Sequence, residues 1–253
     1  MIQPHLRGGD FNGLAATYER YGVGYSSELF AVLEGCGFKC GARVVDVGCG
    51  TGISLQPLAQ RGMTLTGVDP SAAMLAIAKN AVPAATFVSG GAEQLPFTNS
   101  SFDGAVSAQA FHWFDADRAF AELIRVVVPG GPVAIWWKIL GAAEPMRELR
   151  AAACTRAGVE PSPDALRGGF GAFYRAPFAQ RLLRVLPFTA RFTVDDWIGY
   201  ERSRAAVRNH YGAKSEVYFD ALRLALLDRY GSPSASMSIQ YSQFLYVGTT
   251  ARS

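Results

Sequence analysis

The chain has 253 residues, 49% hydrophobic and 18% charged, with a formal net charge of +3. That is enough apolar side chain to bury one α/β core with an added element. The charge is too small, and too free of dense Lys/Arg blocks, for a surface that tracks nucleic-acid phosphates.

Met1 to Arg7 lack the apolar stretch of a secretion signal, and no later apolar run approaches the roughly 18 residues of a membrane span. Residues 11–40 predict two helical pieces, around Leu14–Tyr21 and Ser26–Gly35, with Leu29, Val32 and Leu33 at helical spacing to face a sheet. They make an N-terminal helical cap, residues 1–40. Strands follow at 43–47, 64–69, 84–89, 102–107 and 132–137, with helix-like runs at 53–61, 72–81 and 116–127 between them. Alternation of this kind predicts a parallel, doubly wound core over 41–138. Ser71, just after Asp69-Pro70, is placed to cap the helix carrying Met74 and Leu75. Pro129-Gly130-Gly131-Pro132 turns the chain into the fifth strand.

Beyond Trp137 the rhythm changes. Residues 142–186 and 194–230 look mostly helical, with a short strand from Phe188 to Phe192 between them and a final one from Ile239 to Val247. The two late strands are expected to pair antiparallel, with the surrounding helices forming a lid, residues 139–253. The fold class is therefore α/β: a doubly wound, mostly parallel seven-stranded Rossmann-like sheet with an antiparallel edge strand and a helical lid. The late arginines, among them Arg175, Arg181, Arg184, Arg191, Arg202 and Arg208, read as a solvated face. Cys36, Cys40, Cys49 and Cys154 form no C-x-x-C pair, so neither zinc nor disulfides are indicated, and no metal is expected.

The chemistry sits in Arg43-Val44-Val45-Asp46-Val47-Gly48-Cys49-Gly50-Thr51-Gly52, followed one crossover later by Leu65-Thr66-Gly67-Val68-Asp69. An acid and three alternating glycines end one strand, and a second acid ends the next. That layout suits a nucleoside lying across the carboxyl ends of parallel strands, with Asp69 accepting both ribose hydroxyls. A dinucleotide loop reads G-x-G-x-x-G with a helix aimed at pyrophosphate. Here the third glycine, Gly52, comes one residue early, and Asp46 would repel a pyrophosphate. The pair suits instead a ligand with an ammonium group, a sulfonium, a ribose and no phosphate: S-adenosylmethionine.

With these residues the chain resembles the class I S-adenosylmethionine-dependent methyltransferases. Asp46 to Gly52 matches their acid-x-Gly-x-Gly-x-Gly signature, and Gly67-Val68-Asp69-Pro70-Ser71-Ala72-Ala73-Met74-Leu75 matches a second piece. Gly91-Ala92-Glu93-Gln94-Leu95-Pro96-Phe97 and the stretch from Ser101-Phe102-Asp103 through His112-Trp113-Phe114-Asp115 to Pro129-Gly130-Gly131 follow in the family's order. The Ala-Phe-His-Trp-Phe-Asp run is similar to the type-11, trans-aconitate-methyltransferase-like branch acting on small molecules. The resemblance is strong over residues 40–137 and weak elsewhere.

It implies methyl transfer from S-adenosylmethionine, leaving S-adenosylhomocysteine, to an oxygen, nitrogen or carbon of a metabolite or biosynthetic intermediate. The expected setting is a cytoplasmic monomer or homodimer with neither nucleic acid nor membrane as partner. For the cofactor it implicates Asp46, Gly48, Cys49, Gly50, Thr51, Gly52, Asp69, Pro70, Met74, Ala92 and Glu93, with Ala108, Gln109 and Trp113 at the fourth strand's end. Tyr18 and Arg20 enter only through the family's closing N-terminal helix, whose usual Arg-Pro/Tyr-Pro wording is missing here. His112 is the candidate general base or positioning residue. Tyr25, Trp136, Lys138, Tyr200, Arg204, His210 and Tyr211 are candidates for the acceptor pocket. The competing readings are a non-catalytic S-adenosylmethionine-binding regulator and a nicotinamide-dependent oxidoreductase.

Overall fold

The computed structural model describes residues 15–141, 145–162 and 170–252. Seven strands form one sheet in the order β3-β2-β1-β4-β5-β7-β6. β1 (Arg43–Val47), β2 (Thr64–Asp69), β3 (Thr86–Ser89), β4 (Gly104–Ala108) and β5 (Pro132–Leu140) run parallel, and β7 (Ser236–Thr249) runs antiparallel to both β5 and β6 (Gln180–Thr193). The chain winds outward from β1 in one direction to β3 and in the other from β4. The carboxyl ends of β1 and β4 therefore splay apart into the crevice where such sheets bind ligands.

Each face of the sheet is covered because the parallel strands are apolar on both sides. Alternation along β5 sends Trp136 to one face and Trp137 to the other. Trp136 is fully buried with Leu29, Phe30 and Leu33 of α2 (Ser27–Gly35), its ring 5.5 Å from Tyr25 and 6.4 Å from Phe30. Burying each of those α2 side chains is worth about 1.5–3 kcal/mol. Trp136 is thus core rather than acceptor pocket, a correction forced by the cover that α2 and Tyr25 lay over it. Trp137 packs on the opposite face with Phe111 and with Phe120 and Leu123 of α5 (Ala116–Val126). Ser26 caps α2, and fully buried Gln243 of β7 bonds that cap, its Oε1 accepting from Ser26 N at 3.0 Å.

α4 (Ala72–Ala81) starts where predicted, Ser71 Oγ accepting from Met74 N at 3.2 Å. α3 (Leu55–Ala59) is shorter than the expected 53–61, because residues 51–54 complete the glycine turn. The largest difference lies in β6, which begins at Gln180, within a stretch expected to be helical. As the edge strand it leaves Leu183 and Val185 exposed, so a regular alternation is missing from its sequence, and it tolerates Pro187, whose lost N–H matters little at an edge.

The remaining helices form a third cluster above the crevice: α6 (Pro145–Ala157), α8 (Val194–Ser203), α9 (Ala205–Tyr211) and α10 (Ser215–Tyr230). α7 (Phe170–Arg175) lies against α5 instead. A capping box between Thr193 and Asp196 starts α8. α1 (Ala15–Tyr21) rests on α8, where a Cβ at Gly199 would fall 2.5 Å from the Tyr21 ring. Leu14, the expected first residue of α1, and the Tyr18 side chain lie outside the described residues. No helix among the described residues is long and apolar enough to cross a membrane.

Candidate active site

A cleft of about 710 Å³ opens between the carboxyl ends of the parallel strands and the helices above them. Its floor is the turn after β1, where Gly48, Gly50 and Gly52 hold left-handed φ angles of 74°, 54° and 87°. The N–H groups of Gly48 and Cys49 both donate to Val68 O, at 2.8 and 3.1 Å, folding the turn onto β2. Gly48 could be nothing else: a Cβ there would sit 2.5 Å from Ala110 Cβ.

Asp69, at the end of β2, closes this floor. Its Oδ2 accepts from Gly50 N at 3.0 Å and its Oδ1 from Ser71 N at 2.9 Å. Each oxygen keeps a lone pair for a ligand hydroxyl. Burial raises its pKa, against the lowering effect of those two bonds. Asp46 is fully buried beneath the turn rather than on the cleft wall, a correction to its expected direct role. Its Oδ2 accepts from Ser54 Oγ at 2.5 Å, and its Oδ1 has no hydrogen-bond partner among the described residues. Desolvation first, and Asp69 nearby, push its pKa up to about 7. Ser54 does line the cleft. Gly52 turns toward Ala78 and Val82, and Thr51 lines a smaller hollow with Glu19 and Gln56, so neither reaches the main cleft.

Pro70, Met74, Ala92 and Glu93 form one side wall. Glu93 is held there, its Oε1 accepting from Asp115 N at 2.8 Å. Next to it, Glu122 and Arg125 act as struts: Arg125 donates to Phe97 O at 2.7 Å and Leu95 O at 3.1 Å, and Glu122 accepts from Leu95 N at 2.7 Å.

The opposite wall begins at Gln109, a non-glycine residue at φ 55°. Its side chain grips the main chain of Lys138, accepting from N at 3.1 Å and donating to O at 3.3 Å, which offsets the strain. Ala108, His112, Trp113 and Phe114 follow along this wall. Trp137 Nε1 donates to His112 Nδ1 at 3.2 Å, so the imidazole proton sits on Nε2. Burial lowers the His112 pKa to about 4. With Nδ1 accepting from Trp137 and burial lowering its pKa, His112 fits the positioning half of its expected role better than the general-base half. Lys138 Nζ donates to Val23 O and, at 3.2 Å, to Gly24 O, inside a cage formed by Tyr25, Phe188 and Tyr241. Desolvation lowers its pKa to about 7.

The roof holds residues that no motif marked. Glu201 of α8, fully buried, takes Arg150 Nη2 of α6 at 2.9 and 2.8 Å and Arg204 Nη1 at 3.1 and 3.4 Å. Trp197, Tyr200 and Tyr241 line the same space. Tyr25, Lys138, Tyr200 and Arg204 thus reach the cleft, whereas two other pocket candidates do not. His210 is exposed, its Nε2 3.0 Å from Glu160 O, and Tyr211 packs inside the helical cluster with its hydroxyl 3.2 Å from Cys154 Sγ. Both lie along α9, past the turn that brings Arg204 to the cleft. Arg20 is exposed on α1, stacked on Tyr21 rather than lining the cleft. Arg150, Glu201 and Tyr241 were missed; the Glu201-x-x-Arg204 spacing was the one local sign.

Residues 45–135 match the family described as methyltransferase domain. A protein of Mycobacterium tuberculosis H37Rv named as an uncharacterized methyltransferase is 35% identical over 127 residues, 50% of this chain and 51% of that protein. Over these residues the chain is similar to methyltransferase domains of the type-11 branch. A demethylmenaquinone methyltransferase of Paenarthrobacter aurescens is 33% identical over 144 residues, 53% of this chain and 56% of that protein. The chain thus spans about half the length of the curated relatives it matches. A solved structure from Anaeromyxobacter dehalogenans, described as a type II methyltransferase, superposes with a TM-score of 0.70 at 26% identity, covering 91% of this chain and 98% of that one. A Haemonchus contortus phosphoethanolamine N-methyltransferase 2, in complex with phosphomonomethylethanolamine and S-adenosylhomocysteine, shares the fold at TM-score 0.55 and 19% identity, over 96% of this chain and 58% of that one.

The match to the methyltransferase domain ends at residue 135, so it contains the glycine turn, Asp69, Glu93 and His112 and stops short of the roof. Arg150, Glu201 and Arg204 lie beyond that match, on α6, on α8 and at the end of α8.

Proposed function

We propose that this protein, working in the cytoplasm, transfers the methyl group of S-adenosylmethionine to a small-molecule acceptor and releases S-adenosylhomocysteine. The observation that carries this reading is the pair of acids at the glycine turn: Asp69 bonded to Gly50, and Asp46 buried below with one oxygen unsatisfied. A diphosphate over that turn would face both acids, whereas a cationic amino-acid nucleoside would relieve them.

When bound, S-adenosylmethionine supplies a methyl group on a sulfonium, a leaving group that needs no strong base. Asp69 would accept the ribose hydroxyls through its remaining lone pairs. Pro70, Met74 and Ala92 would flank the base, Met74 through its adaptable thioether. Asp46, acting through Ser54, would answer the ammonium charge. Trp113 and Phe114 would offer ring faces to the sulfonium. His112 would donate its Nε2–H to the acceptor and orient it. Holding two reactants in attack geometry supplies about 7–11 kcal/mol, more than the usual factor of 10²–10⁴ from a general base. The roof and Tyr25 would contribute by that route, excluding water and aligning the acceptor.

Calorimetric titration with S-adenosylhomocysteine and with NAD tests the reading. Saturable binding of the first and no response to the second is the expected result; the reverse would overturn it. Label from methyl-tritiated S-adenosylmethionine should then pass to a component of a metabolite extract, and would not do so from a regulator that only binds.

A further inference from the structure

The roof is richer in donors than its own acceptors can use. Glu201 is the acid there, and both of its oxygens are taken by Arg150 and Arg204. Among the described residues two guanidiniums against one carboxylate leave one positive charge in excess, partly shielded from water: the Arg150 and Arg204 side chains are 18% and 25% exposed. Each guanidinium uses a single nitrogen on Glu201, out of five N–H donors. The indole N–H of Trp197, a cleft-lining residue 1% exposed, has no hydrogen-bond acceptor among the described residues. His112 adds an Nε2–H across the space. The charge of Lys138 is answered by the Val23 and Gly24 carbonyls and by ring faces. The other acids of the cleft, Asp69 and Glu93, lie on the nucleoside side.

We infer that the methyl acceptor carries an acid group, carboxylate or phosphate, seated against Arg204 and the Trp197 indole N–H. This rests on the methyl-transfer reading and adds to it a substrate class. A group made only of acceptor oxygens with a negative charge matches surplus donors and surplus charge together, and a planar guanidinium offers it two parallel bonds. A neutral amide or an amine would leave the guanidinium charge unanswered. The acid group is the anchor by which the acceptor is held; the atom that receives the methyl group is a separate matter.

The test uses the full chain loaded with S-adenosylhomocysteine, with 3-phenylpropionate, phenyl phosphate and the neutral 3-phenylpropanamide as probes, read by saturation-transfer NMR and competition. At least one acid should bind tenfold or more tightly than the amide, and the better acid distinguishes carboxylate from phosphate. Arg204→Gln should erase that preference and Trp197→Phe should reduce it severalfold, both keeping the wild-type affinity for S-adenosylhomocysteine. The amide binding as well as both acids, or the preference surviving in Arg204→Gln, would overturn the inference. Should Arg204→Gln fail to fold, Trp197→Phe decides by the same two outcomes. If S-adenosylhomocysteine does not bind, the methyl-transfer reading is what has failed, and acid against amide on the ligand-free protein still decides the subsite.

Discussion

The floor and nucleoside-side wall of the cleft come from one stretch, Val47 to Glu93, whereas the roof gathers Arg150, Glu201, Arg204 and Tyr241 from separate elements. On the first side the main chain does most of the work: left-handed glycines, N–H groups bonded to Asp69, a turn folded onto Val68. On the second, side chains do it, through a buried ion pair 51 residues apart in sequence. A backbone-built site resists most substitutions and fails sharply at a few glycines. A side-chain-built site can be retuned residue by residue, but each charge depends on its partner. One cofactor with many acceptors calls for that division.

The comparison can be broken most severely at the roof. Glu201→Leu leaves the Arg150 and Arg204 guanidiniums together without their carboxylate, and should cost about 3–5 kcal/mol in urea unfolding. Adding Arg150→Met to that variant should recover most of the loss; a double variant as unstable as the single would mean packing, not charge, holds the roof. On the floor, Gly48→Ala combines about 1–2 kcal/mol of left-handed strain with an overlap on Ala110, and should lower stability by about 2–4 kcal/mol by the same measurement. A fully stable Gly48→Ala protein would contradict the tight turn.

Smaller effects sharpen the contrast. Asp69→Asn removes a charged acceptor whose bonds are each worth about 1.5–3 kcal/mol, so calorimetry should show S-adenosylhomocysteine binding weakened at least tenfold. Unchanged affinity would take Asp69 out of the ribose role. Asp46 offers a pH signature. Its pKa of about 7 in the free protein lies above the ordinary carboxylate value, so near pH 6 it holds a proton that the ligand's ammonium group would expel. Affinity for S-adenosylhomocysteine should therefore rise from pH 5 to 7 and level off above. Titrations at pH 6 in buffers of different ionisation enthalpy should show a released proton that Asp46→Asn abolishes.

His112 supplies the mildest check. With its pKa near 4, the pH dependence of turnover should show no histidine-like step between pH 5.5 and 7.5, and a clear step there that vanished in His112→Asn would restore it as a base.

The nucleoside side was legible in the sequence because its geometry is local. Three glycines, an acid before them and an acid one crossover later determine a turn whatever surrounds it, and the strands that carry it announce themselves by apolar runs. Trp136 was misplaced because it shares a face of β5 with Lys138 near the strand's carboxyl end, while α2 and Tyr25 cover it and leave only Lys138 in the cleft. The early half of β6 stayed hidden because an edge strand with one open side need not alternate. Arg150 was out of reach for a different reason: its meaning depends on Glu201, and the helices that bring them together, α6 and α8, are joined only through the fold.

Lys138 has a consequence of its own. It pins residues 23 and 24 with carbonyl oxygens and aromatic faces in place of an ion pair. Debye screening acts on opposed surface charges and has little hold on a buried ammonium clasped by dipoles. A deprotonated amine still has two N–H groups to give those carbonyls. The stretch beside Tyr25 should accordingly stay fastened in concentrated salt and mild alkali, while exposed pairs such as Arg175–Asp117 let go.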